Sequence, residues 1–375
     1  MIAKHPRDAV LLLIMAFSAM PHPSVCRAQN PPADRQVVRT RAEVEALIQQ
    51  MGTTPPDWWD SVKLNYPPTL DLDWPLRPEG EWDARKNVGQ YIWDVINPNP
   101  GRWKEGIRLV HYLMIRHKDD RDKLGRSMET LGHMFHNLME DWARAAFWWR
   151  KSMQYDVYVD PISLAHCYWK LGSREMAEEV LSMIPDDHTR HGAVIKLWAD
   201  MGEINKALAL AERKAAGGMA TIAYLTAGDT CRLAGRYKEA LAYYEKVLTA
   251  KGDVGREDDV KKDRERAQAS IQAIKVFDAL DVTQVADGTY TAGSLAYAGP
   301  LHVEVVVKGG RIQSVRVTEH QEKQFYSALS ETPKRIVEKQ GVRGVDAVTG
   351  ATMTSEAIIN AAAKALAGGM QKTSP

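Results

Sequence analysis

"LAGRYKEALAYYEKVL", residues 233–248, decides how most of this 375-residue chain folds. Gly235 opens it, Ala240 follows five positions later, and Tyr244 and Val247 continue at the spacing of one helix face. The same figure recurs upstream. Gly202 precedes Ala207 in "DMGEINKALALAERK" (200–214), Gly172 precedes Ala177 in "KLGSREMAEEVLSMI" (170–184), and Glu140 precedes Ala145 in "LMEDWARAAFWWRKS" (138–152). The alanines stand at 145, 177, 207 and 240, in steps of 32, 30 and 33 residues. A helical pattern that repeats in the low thirties is that of a helix–turn–helix solenoid. Glycine lets the chain turn tightly between paired helices, and alanine lets them approach closely. Trp149 and Tyr244, four residues after their alanines, fill the adjoining gap.

This stretch resembles the tetratricopeptide repeat family. Tyr224, Ala227, Gly228, Gly235, Tyr237, Ala240 and Tyr244 all stand at consensus positions of the last unit, while the earlier units are degenerate. About four repeats occupy residues 126–250, and helices from Trp82 to His117 extend or cap them, within a repeat domain placed at 82–280. The resemblance implies a protein or peptide ligand on the solenoid's concave face. "GDVGREDDVKKDRERAQAS" (252–270) mixes charges of both signs and predicts a solvated helix face or connector.

At Asp287 the periodicity changes from helical to alternating. "GTYTAGSLAYAG" (288–299) and "PLHVEVVVKGGRIQSVRVTEH" (300–320) read as three strands, with Val303, Val305 and Val307 on one face and Val315 and Val317 as their partners. Gly309-Gly310 supplies the positive-φ pair of a hairpin turn. Thr332-Pro333 predicts a helix to about Gln340, with Pro in its first position. An extended piece from Gly344 to Val348 leads into "DAVTGATMTS" (346–355), and a last helix runs from about Thr354 to Ala367. The fold class is thus an all-α helical repeat followed by a small α+β domain, placed at 285–370. Hydroxyls on a small backbone before a helix suit a phosphate, since backbone N–H groups and the positive helix end converge there. They equally suit an ordinary N-cap, with Thr352, Thr354 or Ser355 as the cap.

Residues 287 to about 368 resemble the FMN-binding domain of the C subunit of sodium-pumping NADH:quinone oxidoreductase and of the G subunit of Rnf complexes. Asp346, Thr349, Gly350, Ala351 and Thr352, continued by Thr354 and Ser355, fit the family's Asp-x-x-Ser/Thr-Gly-Ala-Thr pattern. The resemblance implies FMN joined through its phosphate to the Thr352 hydroxyl by a flavin transferase. It implies that Gly350 and Ala351 leave room for the phosphate, that Thr349, Thr354 and Ser355 hydrogen-bond its oxygens, and that Asp346 serves recognition or metal positioning during transfer. Relatives follow the second strand with His-x-Glu-Thr-Pro-Gly-x-Gly; here His320 and Glu322 remain, but the next Thr-Pro is Thr332-Pro333 and the glycines are gone. His320 is therefore read as a surface histidine at a strand end.

Lys and Arg total 49 against 48 for Asp and Glu, which gives a nucleic-acid partner no electrostatic support. Lys4 and Arg7 before the apolar run Ala9–Met20 predict an export signal over residues 1–28, cleaved after Ala28, and hence a periplasmic or other extracytoplasmic location, peripheral to a membrane at most. A Trp- and Pro-rich segment fills residues 29–81; Thr40-Arg41-Ala42-Glu43 predicts a capping box with a helix to about Met51, and Trp58, Trp59, Tyr66 and Trp74 anchor the irregular stretch 54–78. Cys26 leaves with the signal, and Cys167 and Cys231 read as buried free thiols. His133 with His136, and His188 with His191, lie three apart, but no third ligand accompanies either pair, so no metal site is assigned. Gly-x-Ser-x-Gly, P-loop and dinucleotide fingerprints are absent, and no catalytic acid or base can be named. The expected function is that of a covalently flavinylated electron carrier docked through its repeats to a redox protein or membrane electron-transfer complex. The alternatives are a repeat-based adaptor with a sensory or non-covalent flavin, and an electron-input subunit of a flavin-dependent reductase.

Overall fold

Thr40 starts the first helix, α1 (Arg41–Thr53), with the expected capping box: its side chain accepts the Glu43 N–H, and the Glu43 carboxylate accepts the Thr40 N–H at 2.7 Å. In the computed structural model, residues 37–74, 87–184, 191–252, 255–348 and 350–370 are described. The expected signal over 1–28, residues 29–36 and 75–81 of the Trp-rich segment, and His188 lie outside the described residues. Within 54–74 the aromatics pin an irregular chain to the helices. The buried Trp74 donates its indole N–H to Ser127 Oγ at 2.8 Å, Trp59 meets His111 edge-on at 4.7 Å, and Tyr66 stacks on Tyr112 at 6.1 Å.

A short helix α2 (Val88–Tyr91) runs on as a π turn, and α3 (Trp103–Arg116) leads into the paired helices. The pairs are α4 (Arg121–Asn137) with α5 (Trp142–Met153), α6 (Pro161–Lys170) with α7 (Arg174–Ser182), α8 (His191–Asp200) with α9 (Ile204–Ala216), and α10 (Ala220–Leu233) with α11 (Tyr237–Thr249). Ala145, Ala177, Ala207 and Ala240 are each fully buried. Gly172, Gly202 and Gly235 turn the chain at φ +96°, +84° and +70°, and Glu140 takes the equivalent place at +51°. Trp149 lies so close to Gly132 that a Cβ there would stand 2.2 Å from its ring, and Tyr244 leaves 2.4 Å at Gly228. Cys167 and Cys231 are free and buried.

The mixed-charge stretch belongs to α12 (Glu257–Phe277), and it does more than face solvent. Val260, Asp263, Ala267, Ser270, Ile271 and Ile274 form a buried stripe along it. Asp263 accepts the Thr221 hydroxyl at 3.0 Å, and burial pushes its carboxyl up to about 6. The alternating segment forms an antiparallel sheet in the order β1 (Gly288–Leu295), β2 (Pro300–Lys308), β3 (Arg311–Glu319). Val303 faces Val317 and Val305 faces Val315, and Gly309 and Gly310 turn at φ +59° and +68°.

Helix α13 (Ser327–Lys339) departs from expectation, because it starts before Thr332 and carries Pro333 inside it. Ala328, Thr332, Pro333 and Ile336 are buried together, and tertiary packing of that face holds the helix through the missing N–H. The last helix, α14 (Thr352–Gly369), begins two residues ahead of the expected Thr354. It is buried on most sides because the sheet covers one face and α12 the other. Tyr244 and Val247 of the last pair, Ile271 and Phe277 of α12, Val303 and Val305 of β2, and Ile358 and Leu366 of α14 share one core. Among the described residues no helix is long and apolar enough to cross a membrane.

Candidate functional site

The opening of α14 is shaped by two turns of hydrogen bonding. The Ala351 N–H donates to the Val348 carbonyl at 3.0 Å, and Gly350 between them sits at φ +88°. Ser355 is wholly buried and accepts the Val348 N–H at 3.0 Å and the Thr332 hydroxyl at 3.1 Å, which folds the loop back on the first helical turn. Thr354 is bonded to the carboxylate of buried Glu322, which also accepts the N–H groups of Tyr297 at 3.0 Å and Ala298 at 3.3 Å. Burial pushes the Glu322 carboxyl up. Thr354 and Ser355 thus both hold inward contacts.

Neither Thr354 nor Ser355 caps the helix. Its N-cap is Ala351, with no side-chain cap bond, and Thr352 is the first helical residue. Thr352 is 9 % exposed, and its Oγ1 is buried with no hydrogen-bond partner. A buried hydroxyl left unpaired is costly, and the first-turn N–H groups have no intrahelical acceptor. An uncapped 18-residue helix with an unpartnered hydroxyl at its mouth is a place for an anion. Ala351 and Val348 form a small apolar patch there with Ala328 and Phe325. Asp346 is half-buried, and its carbonyl accepts from Arg335 Nη1 at 3.1 Å. Thr349 lies outside the described residues.

The repeats close over this loop. Residues 322–327 form a strap across the end of α4: the Phe325 N–H donates to the Asn137 carbonyl at 2.7 Å, and Tyr326 Oη donates to the Pro98 carbonyl at 3.1 Å. Lys323 pairs with Asp94 at 2.8 Å, and Phe325 is held at φ +51°. His320 is exposed at the strand end and meets Tyr326 edge-on at 5.4 Å. The partner of His136 is His166 of the next repeat, Nε2 to Nδ1 at 3.0 Å, while His133 pairs with Glu129 at 2.7 Å on its own helix. From the sequence no site is assigned to His133 and His136, and His166 is not singled out; the 30-residue separation of 136 and 166, close to one repeat, was the signal for this pair. Among the described residues no group of three or more His, Cys, Asp or Glu side chains could hold a metal ion.

A second polar cluster fixes α14 from behind. Glu356, one turn after Thr352, pairs with Arg232 of α10 at 2.6 Å, and Arg232 also donates to Asn360 Oδ1 at 2.8 Å. Asn360 Nδ2 donates to Ser270 Oγ of α12 at 3.2 Å. Burial pushes the Glu356 carboxyl up to about 7, against the pull of Arg232.

Residues 296–367 match the FMN-binding domain family, and residues 222–253 match a tetratricopeptide repeat. No curated protein and no solved structure matches the chain. The chain therefore carries an FMN-binding domain behind a tetratricopeptide-type helical array, and the loop around Thr352 lies inside the matched domain.

Proposed function

We propose that this flavin-binding repeat protein is an exported electron carrier whose FMN is tethered through its phosphate to Thr352 Oγ1. The observation that carries the reading is the orphaned, buried Thr352 hydroxyl at an uncapped helix mouth. A phosphate there would receive the free N–H groups of the first turn, and the missing side chain of Gly350 leaves space beside it. Bound FMN supplies one- and two-electron transfer. The chain's own contribution is position and exclusion of water: Ser355 and Glu322 hold the loop, and the strap 322–327 covers it.

Esterifying a free phosphate would require expelling water, so the tether calls for a phosphoanhydride donor, a flavin dinucleotide presented by a flavin transferase. The bond from phosphorus to Thr352 Oγ1 forms as the bond from phosphorus to the leaving nucleotide phosphate breaks and takes its electron pair; the hydroxyl proton goes to a base. Export rests on Lys4, Arg7 and the apolar run Ala9–Met20, and a tether would keep the cofactor from being lost outside the cytosol. The repeats then hold the redox partner on a helical surface.

The test is production beside a flavin transferase, followed by a denaturing gel viewed under ultraviolet light. Wild type should give a fluorescent band and Thr352→Ala a dark one. A dark wild-type band that still takes up FMN before denaturation would remove the tether; protein that takes up no FMN at all would remove the whole reading.

A further inference from the structure

We propose that the repeat domain completes the phosphate pocket: His166 of α6 is a direct ligand of the flavin phosphate, and His136 and Asn137 of α4 position it. The inference rests on the flavin reading above but concerns residues outside the matched FMN-binding domain. His166 is 7 % exposed, and its Nε2 is buried with no hydrogen-bond partner. A Cβ placed on Gly350 would stand 3.1 Å from His166 Cε1 and 3.4 Å from Nε2, so the unpartnered nitrogen faces the backbone of the Thr352 loop. Two orphaned polar atoms, Thr352 Oγ1 and His166 Nε2, thus lie on either side of Gly350: one two residues along the loop, the other on the ring that packs against it.

A chain of hydrogen bonds sets the ring. Asn137 Nδ2 donates to Gln324 Oε1 at 3.1 Å, which turns Asn137 Oδ1 toward His136 Nδ1 at 2.5 Å. His136 then carries its proton on Nδ1 and, when neutral, offers a bare Nε2 to His166 Nδ1–H. That leaves His166 Nε2 as the nitrogen that gains a proton when an anion arrives. The ring's surroundings favour one. His136 from α4, Lys170 on α6 itself and Lys196 from α8 act on it, burial and all three neighbours push its pKa down, and α5 adds the Trp142 ring at 5.0 Å. A buried imidazole among basic groups stays neutral until a negative ligand compensates it. A phosphate at the Gly350–Thr352 turn would take up one proton on His166 and accept an N–H bond from it.

The experiment follows the ring ¹⁵N resonances of His166 in full-length protein made without transferase, titrated separately with FMN, riboflavin and inorganic phosphate. FMN should move His166 toward the protonated form, and riboflavin should leave it unchanged. His166→Gln should weaken FMN binding by about tenfold or more, the value of a charge-assisted hydrogen bond, with its melting curve retained as the check on folding. His136→Gln should alter the His166 tautomer signal and the pH at which it protonates, which a purely structural contact would not. Binding of FMN with His166 unmoved, or equal movement by riboflavin, overturns the inference and leaves the flavin reading intact. Movement by inorganic phosphate in protein that takes up no FMN keeps the pocket and removes the flavin reading. No response to either phosphate overturns the pocket itself.

Discussion

Replacing Gly228 with alanine should destabilise the protein by an amount the packing of one ring sets. The new Cβ would lie 2.4 Å from Tyr244 Cε1, 2.6 Å from Cδ1 and 2.9 Å from Cζ. Tyr244 is fully buried, and its hydroxyl donates to the buried Asp229 carboxylate at 2.7 Å, so the ring cannot retreat without breaking that bond. Overpacking costs about 1–3 kcal/mol, and a disturbed hydrogen bond to a charged group about 1.5–3 kcal/mol. Alanine returns about 1 kcal/mol of helix propensity, so the net loss should be about 2–5 kcal/mol. The assay is urea unfolding followed by circular dichroism, run on wild type, Gly228→Ala, Tyr244→Ala and the double variant. Without the ring the clash is gone, and Gly228→Ala should become neutral or stabilise by about 1 kcal/mol. A single variant as stable as wild type, or an equal loss in both backgrounds, would refute the reasoning.

Four further outcomes are expected. Ser355→Ala leaves the Val348 N–H and the Thr332 hydroxyl without their acceptor and should cost about 1–3 kcal/mol in the same unfolding assay. Asp263 titrates near 6 in the folded chain against an ordinary value of 3.8. Its contribution is full below the unfolded value and fades as pH rises through the folded one. Wild type should therefore lose about 3 kcal/mol relative to Asp263→Asn between about pH 3 and 7, and parallel pH–stability curves would contradict this. Trp74→Phe keeps the ring but loses the bond to Ser127, and a drop of about 1 kcal/mol should appear in unfolding, with no change in flavin loading. Gly350→Ala forces a side chain into φ +88° beside His166 and should cut FMN attachment several-fold, with a loss of about 1–3 kcal/mol in the unfolding assay from the backbone strain.

The repeat architecture was legible because its demands recur. A small residue at 145, 177, 207 and 240 and a left-handed turn five residues earlier are needed in every unit, so even Glu140 at φ +51° betrays the place where glycine stands elsewhere. The sheet was legible because Val303, Val305 and Val307 recur on one buried face of β2 and a Gly-Gly pair marks the turn into β3. Helix α13 was misplaced because proline is a local signal for a helix start, whereas the burial of Ala328 and Thr332 that extends the helix is tertiary. At the site, the pattern around Thr352 was visible, but the partition of its hydroxyls was not. Ser355 and Thr354 turn inward to a backbone N–H and to Glu322, while Thr352 stays unpaired, and only the folded loop distinguishes them. Asp263 was hidden in a run of charges, because one buried carboxylate on a charged helix looks like its solvated neighbours. His166 was missed because its role depends on a neighbour one repeat away and a loop near the other end of the chain.

The strap from Glu322 to Ser327, fastened by Asn137, Asp94 and the Pro98 carbonyl, bears on the order of events in the protein's making. Once it lies down, Thr352 Oγ1 is sealed from any second enzyme. In the tethered reading proposed above, a transferase has to reach Thr352 before the strap closes, and a chain that closes first can hold FMN only without the bond.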